Sequence, residues 1–161
     1  MTQTTLLADY SNPQHAQDIV TLLNAYAKDP MGGEESLSAH TQEHLVSELA
    51  KLPHAFSVIC YVDGEPVGLA NCFDGFSTFA CKPLVNIHDL AVLREFRGRG
   101  ISQLLLAEVE QIARQKGCCK ITLEVLAVNA LAQNAYSKYG FGDVALNATT
   151  KGMLFWQKTI S

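Results

Sequence analysis

The chain has 161 residues, 48% of them hydrophobic and 17% charged, which is typical of one globular domain with a sizeable core and excludes the disordered class. Its formal net charge of −4 argues against a nucleic-acid partner, because proteins that bind nucleic acid carry a basic surface. No apolar run approaches the roughly 18 residues that span a bilayer, and the N-terminus lacks the parts of a signal peptide. We therefore expect a single domain over residues 1–161 that is cytoplasmic and has no membrane partner.

The N-terminal part of the chain predicts a strand and two helices. Residues 4–8 are short and β-prone, and Asn12 stands before a proline, a helix start signal that opens a helical periodicity up to Lys28. After a glycine-containing break, Ser38 caps a second predicted helix that ends at about Lys51.

The next segment predicts antiparallel strands. Residues 56–62 and 66–73 are strand-like runs, and the Asp-Gly dipeptide at 63–64 between them predicts a hairpin. Residues 74–79 predict a looser, aromatic-rich passage that leads to the following strand.

The second half of the chain begins with a predicted β-α-β unit. An apolar strand at 85–93 is followed by a loop with two glycines and three arginines, and then by an amphipathic helix from about Arg99 to Lys116 that Gly117 ends. Residues 120–126 predict the returning strand, so the two strands form a parallel pair.

A short helix and a hairpin close the chain. Asn129 caps the helix, Gly140 ends it, and residues 143–147 and 151–157 predict the hairpin. The fold class is therefore mixed α/β (α+β), with the antiparallel strands first.

The cysteines indicate neither a metal site nor a disulfide framework. There are five, without Cys-x-x-Cys spacing, and the adjacent Cys118 and Cys119 suit neither one metal ion nor a disulfide between them. We expect reduced, mostly buried thiols and no bound metal.

The loop at residues 94–102 predicts an anion site. Its glycines leave backbone N–H groups accessible at the start of a helix, and its arginines add positive charge to an acidic chain. A phosphate-binding P-loop needs G-x-x-x-x-G-K-S/T, which does not occur here. A dinucleotide fingerprint needs a third glycine where Gln103 stands, and it belongs on the first strand of a longer parallel sheet.

A third interpretation accounts for this loop and for a later segment. Residues 97–102, Arg-Gly-Arg-Gly-Ile-Ser, resemble the pyrophosphate loop of the GNAT family of N-acetyltransferases, Gln/Arg-x-x-Gly-x-Gly/Ala, with Ser102 in place of glycine or alanine. Residues 129–141 resemble the family's other signature, N-x-x-A-x-x-x-Y-x-K-x-G-F. The order of the predicted elements across almost the whole chain is also similar to that of the family.

The resemblance implies a GNAT-like, mostly antiparallel sheet of six to seven strands, with a central parallel pair and about four helices. It also implies acetyl-CoA as the acyl donor. The pyrophosphate would be held mainly by main-chain amides of the loop, and the pantetheine arm by the central strand and the second signature. The implied cofactor-binding residues are Leu90, Ala91, Val92, Arg97, Gly98, Arg99, Gly100, Ile101, Ser102, Asn129 and Lys138.

Two residues are candidates for the proton transfers. Acetyl transfer needs a neutral amine and a proton for the departing thiolate. His88 lies on the central strand and is the candidate base, because histidine titrates close to neutral pH; a structural, hydrogen-bonded histidine is the alternative. Asp89 is expected to point to the opposite face and to be structural. By resemblance, the Tyr136 hydroxyl would lie beside the cofactor sulfur as the acid, whereas an isolated helical tyrosine would pack on the core.

The acceptor side has fewer markers. Glu34 and Glu35 lie between the first two helices, a region that covers the acceptor in the resembling family, and they either attract a cationic amine or are solvated. Asp74 and Phe76 belong to the aromatic passage, which can form an acceptor wall, core or a dimer contact, so a homodimer stays open.

Taken with the resemblance, these features predict an acetyl-CoA-dependent N-acetyltransferase. Its acceptor would be a primary amine of a small molecule or peptide, acetylated by direct transfer in a ternary complex. The alternative is a non-catalytic acyl-CoA-binding sensor, which would share the loop but would need neither the tyrosine nor an ionisable group at position 88.

Overall fold

A computed structural model describes residues 2–143 and 153–160 of the chain. Its strands and α-helices are β1 (Gln3–Leu7), α1 (Pro13–Lys28), α2 (Ala39–Leu49), β2 (Ala55–Val62), β3 (Glu65–Ser77), β4 (Lys82–Val92), α3 (Ile101–Gln115), β5 (Lys120–Leu126), α4 (Ala130–Tyr139), β6 (Gly142–Asp143) and β7 (Met153–Thr159). Short 3-10 turns lie at Pro30–Gly32 and Arg94–Phe96.

The described strands form one seven-stranded sheet in the order β1-β2-β3-β4-β5-β7-β6. Neighbouring strands are antiparallel except β4 and β5, which are parallel and are connected through α3. The predicted mixed fold, with a central parallel pair and four helices, is confirmed.

The helices cover both faces of the sheet. Val58 and Cys60 belong to the larger apolar cluster, which includes the buried face of α3, whereas Ile59 between them belongs to a second cluster with α1 and α2. Successive strand residues point to opposite faces, so α1 and α2 lie on one side of the sheet and α3 on the other.

The prediction of a looser, aromatic-rich passage at 74–79 is wrong for residues 74–77. β3 continues to Ser77, and residues 74–77 pair with residues 82–85 of β4, so both strands are longer than predicted. Asp74 and Gly75 have the composition of a turn, but the missing side chain of Gly75 makes room for Leu84, whose Cδ1 would lie 3.0 Å from an added Cβ.

The start of α3 also differs from the prediction. Gly100 has φ of +80° and precedes α3 as its N-cap, so the helix begins at Ile101 rather than at about Arg99. In the closing hairpin, β6 and β7 pair antiparallel. The rest of the strand predicted at 143–147 lies outside the described residues.

Candidate active site

A bulge in β4 lies at the candidate base. In the β3–β4 ladder Asn71 lies opposite Asp89, whereas Cys72 lies opposite Ile87, so His88 is an extra residue with no partner position on β3. Bulges of this kind bend a strand and redirect its side chains, and they are frequent beside active sites.

The bulge brings His88 and Asp89 to the same face of the sheet. The rings of Phe73 and His88 meet edge-on with centroids 5.7 Å apart, and Asn71 Nδ2 donates a hydrogen bond to Asp89 Oδ2 over 3.1 Å. Asn71 and Phe73 are two residues apart on β3 and therefore share a face. The prediction that Asp89 points away from His88 is wrong, because regular alternation fails where the ladder is irregular.

β4 separates from β5 at the same position. The parallel pairing joins only residues 85–87 of β4 to residues 121–123 of β5. Residues 89–92 keep their pairing with β3, but in the described part of the chain residues 88–92 have no partner on the β5 side. Backbone groups along this edge, which includes Leu90 and Ala91, are therefore available to a ligand.

The turn from β4 into α3 ends in an open helix N-terminus. Gly98 and Gly100 have φ of +78° and +80°, a left-handed backbone that favours glycine. The first N–H that bonds back into the helix is that of Leu104, which donates to the carbonyl of Gly100. The N–H groups of residues 101–103 are thus free of intrahelical partners.

This end of α3 differs from that of the other three α-helices in the described chain. Gly100 has no side chain to cap α3, whereas in the other helices a side-chain oxygen accepts from first-turn N–H groups, supplied by Asn12, Ser38 and Asn129. Uncapped N–H groups at the positive end of a helix dipole form a site for phosphate.

The exposed side chain of Arg97 is held by contacts with other residues of the protein. Its Nη2 lies 2.9 Å from Asp29 Oδ2, and its Nε donates to the carbonyl of Val92 over 3.2 Å. Arg94 Nη2 lies 3.9 Å from the same carboxylate oxygen. The N–H of Met31 and the Arg97 guanidinium both hold the pKa of the Asp29 carboxyl below its ordinary value. Arg97 therefore ties the turn before α3 to the end of α1.

The other predicted cofactor-binding side chains differ in their exposure. Arg99 is exposed and its guanidinium lies 5.0 Å from the centroid of the Phe96 ring, whereas Ser102 is half-buried in the first turn of α3. Lys138 is exposed on α4.

Tyr136 lies on a helix that is fixed at both ends. Asn129 Oδ1 accepts from the N–H of Ala132 at the start of α4, and Gly140 ends the helix with a left-handed backbone. Gln103 Nε2 donates to the carbonyl of Ala135 over 3.0 Å, which ties the first turn of α3 to α4 one residue before Tyr136.

Tyr136 is buried, at 8% exposure, but its hydroxyl oxygen is not fully buried. Within the described residues the hydroxyl has no hydrogen-bond partner. Burial first, and nearby Tyr26 second, raise the pKa of Tyr136. The group is therefore protonated at neutral pH and can act as a hydrogen-bond donor.

Two cavities meet at Tyr26, which lines both. The turn cavity, of about 350 Å³, lies between the end of α1 and the turn before α3, and its lining includes Ala91, Val92 and Arg97. The bulge cavity, of about 370 Å³, lies between α1, α2 and the β3–β4 pair, and its lining includes His88 and Asp89. Burial, followed by the nearby carboxylates of Asp89 and Asp29, raises the pKa of Tyr26, so its hydroxyl is also a donor.

The structure does not bring the predicted acceptor residues to the bulge cavity. Glu34 and Glu35 are exposed between α1 and α2 and are not among the residues that line it. Asp74 Oδ1 lies 2.9 Å from Lys116 Nζ, and Phe76 is 59% exposed near the end of β3.

Sequence reasoning missed two lining residues of this cavity. Tyr26 falls on the periodic apolar face of α1, where the pattern does not distinguish it from a core residue. Asn71 is a polar residue inside the apolar run of β3, and that interruption was the available signal.

The fold and the anion site are compatible with an acyltransferase that uses an acyl-CoA donor, and comparisons with known proteins identify this class. The acetyltransferase (GNAT) family model matches residues 19–141. The chain therefore belongs to the GNAT acetyltransferase family, whose acyl donor is acetyl-CoA.

Two relatives and one solved structure of similar fold illustrate the likeness. The aminoglycoside N(6')-acetyltransferase type 1 of Salmonella typhimurium is 26% identical over 114 residues, which are 69% of this chain and 74% of the relative. The thialysine N-epsilon-acetyltransferase of Caenorhabditis elegans is 27% identical over 128 residues, 79% of this chain and 75% of the relative. A chain in the crystal structure of the NatC complex bound to Gag peptide and CoA is 19% identical, with a TM-score of 0.75 and 100% of each chain covered.

Residues 2–143 and 153–160 contain no group of three or more His, Cys, Asp or Glu side chains arranged to hold a metal ion. No helix within these ranges has the length and apolar character needed to cross a membrane.

Proposed function

We propose that this protein acetylates a primary amine of a small molecule or peptide by direct transfer within a ternary complex. The observation that carries the proposal is the bulge in β4, which places His88 and Asp89 in one cavity beside the open edge of the strand. The relatives named for aminoglycoside and thialysine acetylation support an amine nitrogen as the acceptor.

The donor half of the site fits acetyl-CoA, which supplies the acetyl group as a thioester. The uncapped N-terminus of α3, with Gly98 and Gly100 before it, offers N–H groups to a pyrophosphate. The free edge of β4 offers backbone groups to the amides of the pantetheine arm. A backbone N–H near Leu90 would donate to the acetyl carbonyl oxygen as negative charge develops there.

His88 is the proposed base. An amine with the pKa of lysine, about 10.4, is neutral in fewer than about one molecule per thousand at pH 7, so a positioned proton acceptor accelerates the reaction. His88 lines the bulge cavity, and its imidazole ring packs edge-on against the ring of Phe73. It would take the proton that the amine loses.

Tyr136 is the proposed acid at the departing sulfur. Its raised pKa keeps the proton on the phenol, whereas an ordinary thiol has a pKa of about 8.5. The hydroxyl therefore contributes first as a hydrogen-bond donor to the developing thiolate, and proton transfer follows as the sulfur is desolvated. Gln103 holds the helix that carries this hydroxyl.

The test is release of free CoA from acetyl-CoA with a panel of amines, amino acids and peptides, together with calorimetric measurement of CoA binding. We expect saturable CoA release with at least one class of amine, and mass spectrometry should find the acetyl group on nitrogen. Tight CoA binding without turnover on any class would overturn the proposal in favour of a sensor.

A further inference from the structure

We propose that the acceptor is a monoamine with an apolar body, and that Asp89 binds its ammonium group in the bulge cavity. The inference rests on the proposed function and specifies the class of substrate. It is based on the shape, charge and hydrogen bonding of the cavity.

The walls of the bulge cavity are apolar. Its polar side chains are those of Asn71, His88 and Asp89 on the sheet and of Tyr26 on α1. The side chains that form the remaining walls are aliphatic or aromatic, from Leu23, Ala27, Leu37, Leu45, Leu49 and Phe73. A volume of about 370 Å³ lies at the small end of the range for small-molecule sites, which disfavours a bulky polycation.

The charge of the lining matches one ammonium. Among the described residues that line the bulge cavity, Asp89 is the one acidic residue, and there is no lysine or arginine. Lys28, Arg94 and Arg97 line the turn cavity instead. A second ammonium at the far end of a substrate would face leucine side chains and would lose its hydration without a partner.

A chain of hydrogen bonds behind the cavity orients Asp89. Ser57 and Asn71 are 0% and 4% exposed. Ser57 Oγ donates to Asn71 Oδ1 over 2.6 Å, and the hydroxyl of Tyr10 lies 2.8 Å from Ser57 Oγ. With its oxygen engaged, the Asn71 amide directs Nδ2 to Asp89 Oδ2. Asp89 Oδ1 accepts no hydrogen bond from the described residues and is available to a ligand.

The same carboxylate is compatible with proton removal. Its negative charge favours the cationic form of a bound amine, and it equally favours the protonated imidazole of His88, which lines the same cavity. The two effects oppose each other, so Asp89 can capture an ammonium ion without preventing the loss of its proton to His88.

The substrate test uses three acceptors of one chain length, hexylamine, 6-aminohexan-1-ol and 1,6-diaminohexane, together with an aminoglycoside as a bulky polycation. We expect kcat/KM for hexylamine to exceed that for the diamine and the aminoglycoside by at least tenfold, with the amino alcohol between them. A preference for the diamine or the aminoglycoside would overturn this inference and leave the proposed function intact. Absence of acetylation of any amine would contradict the proposed function itself.

The residue test uses Asp89→Asn, which keeps an oxygen for the Asn71 hydrogen bond but removes the charge. We expect KM for hexylamine to rise at least tenfold, with CoA affinity and the melting temperature within error of the parent. Asp74→Asn is the matched control, because that carboxylate lies outside the cavity and is paired with Lys116. An unchanged KM in Asp89→Asn would overturn the assignment.

A change of specificity gives an independent readout. Leu45→Glu adds a second carboxylate to the apolar wall from a half-buried position on α2. We expect the ratio of kcat/KM for 1,6-diaminohexane to that for hexylamine to rise at least fivefold. An unchanged ratio in a folded variant would show that the body of the acceptor does not occupy this cavity.

Discussion

Asp29 and Arg97 join the end of α1 to the turn before α3 through a contact of 2.9 Å, although they are 68 residues apart in the chain. Asp29 also accepts from the N–H of Met31 and so begins the segment that leads to α2. The guanidinium that the loop motif assigns to pyrophosphate is thus shared with a carboxylate that lines the turn cavity. Binding of CoA and the position of the segment between α1 and α2 are therefore expected to be linked.

The first prediction concerns the affinity for CoA. Asp29→Asn removes a negative charge beside the anion site and releases Arg97, while the amide oxygen can still accept from Met31 N–H. We expect CoA to bind roughly two- to fivefold more tightly, and the gain to shrink in high salt. Calorimetry at two salt concentrations measures it, with Arg97→Ala expected to weaken binding. Weaker binding in Asp29→Asn would show that the ion pair organises the loop for the cofactor.

The second prediction concerns stability at low pH. The contacts of Asp29 depress the pKa of its carboxyl below the ordinary value of 3.8, so the folded state favours the ionised form. The resulting stabilisation is present above pH 3.8 and is lost as pH falls through the lower, folded-state pKa. The difference in unfolding free energy between the parent and Asp29→Asn should be constant from pH 5 to 7 and should narrow below about pH 4. A difference that is independent of pH would contradict the assignment.

The third prediction concerns the acid. Tyr136→Phe keeps the buried ring but removes the hydroxyl, so we expect kcat to fall about a hundredfold with little change in CoA affinity. Tyr139→Phe is the matched control. Tyr136 and Tyr139 lie on the same helix, and the centroid of each ring lies about 6 Å from that of Phe141. Because the pKa of Tyr136 lies above its ordinary value of 10, its ionisation should not limit the rate below pH 9.5. Equal losses in both variants would assign Tyr136 a packing role.

Much of the fold was predictable because its signals are local. The caps at Asn12, Ser38 and Asn129 and the glycines after the helices act within a few residues, and each helix lies close to where its pattern placed it. The bulge at His88 was not predictable, since the apolar pattern of 85–93 is continuous and the irregularity exists only in the pairing with β3.

The parts of the site that depend on local signals were likewise predictable, whereas those that depend on long-range contacts were not. The anion loop follows from its glycines, which set the backbone locally. The partners of Arg97 and Asp89 come from α1 and β3, and no spacing within the sequence reveals which long-range contact a charged side chain makes. The acceptor residues proposed from composition, such as Asp74, failed to reach the cavity for the same reason.

The fourth prediction concerns the base. His88→Ala should lower kcat/KM by roughly a hundredfold at pH 7, and the loss should shrink as pH approaches the pKa of the acceptor amine, because the free amine then needs no base. His54→Ala is the control, since this ring also contacts Phe73 but does not line the cavity. Rate profiles between pH 6 and 10 provide the measurement. A loss that is constant with pH would make His88 structural.

The fifth prediction links packing to cofactor binding through Gly68 of β3. A Cβ at this position would lie 2.8 Å from Ile101 Cγ2 and 3.0 Å from Leu105 Cδ1, and both side chains are buried in the first turns of α3. Gly68→Ala should therefore lower the unfolding free energy by about 1–3 kcal/mol. It should also weaken CoA binding several-fold, because the displaced residue is the first of the helix whose N–H groups form the anion site.

Gly142→Ala is the control for this change, since an added Cβ there meets no atom of the described residues within 4 Å. Chemical denaturation and calorimetry measure the two effects separately. Loss of stability with unchanged CoA affinity would mean that the N-terminus of α3 keeps its position or does not hold the cofactor. At one CoA concentration, the variant should gain less stability than the parent if that helix end binds CoA, because the stabilisation by a ligand falls as its affinity falls.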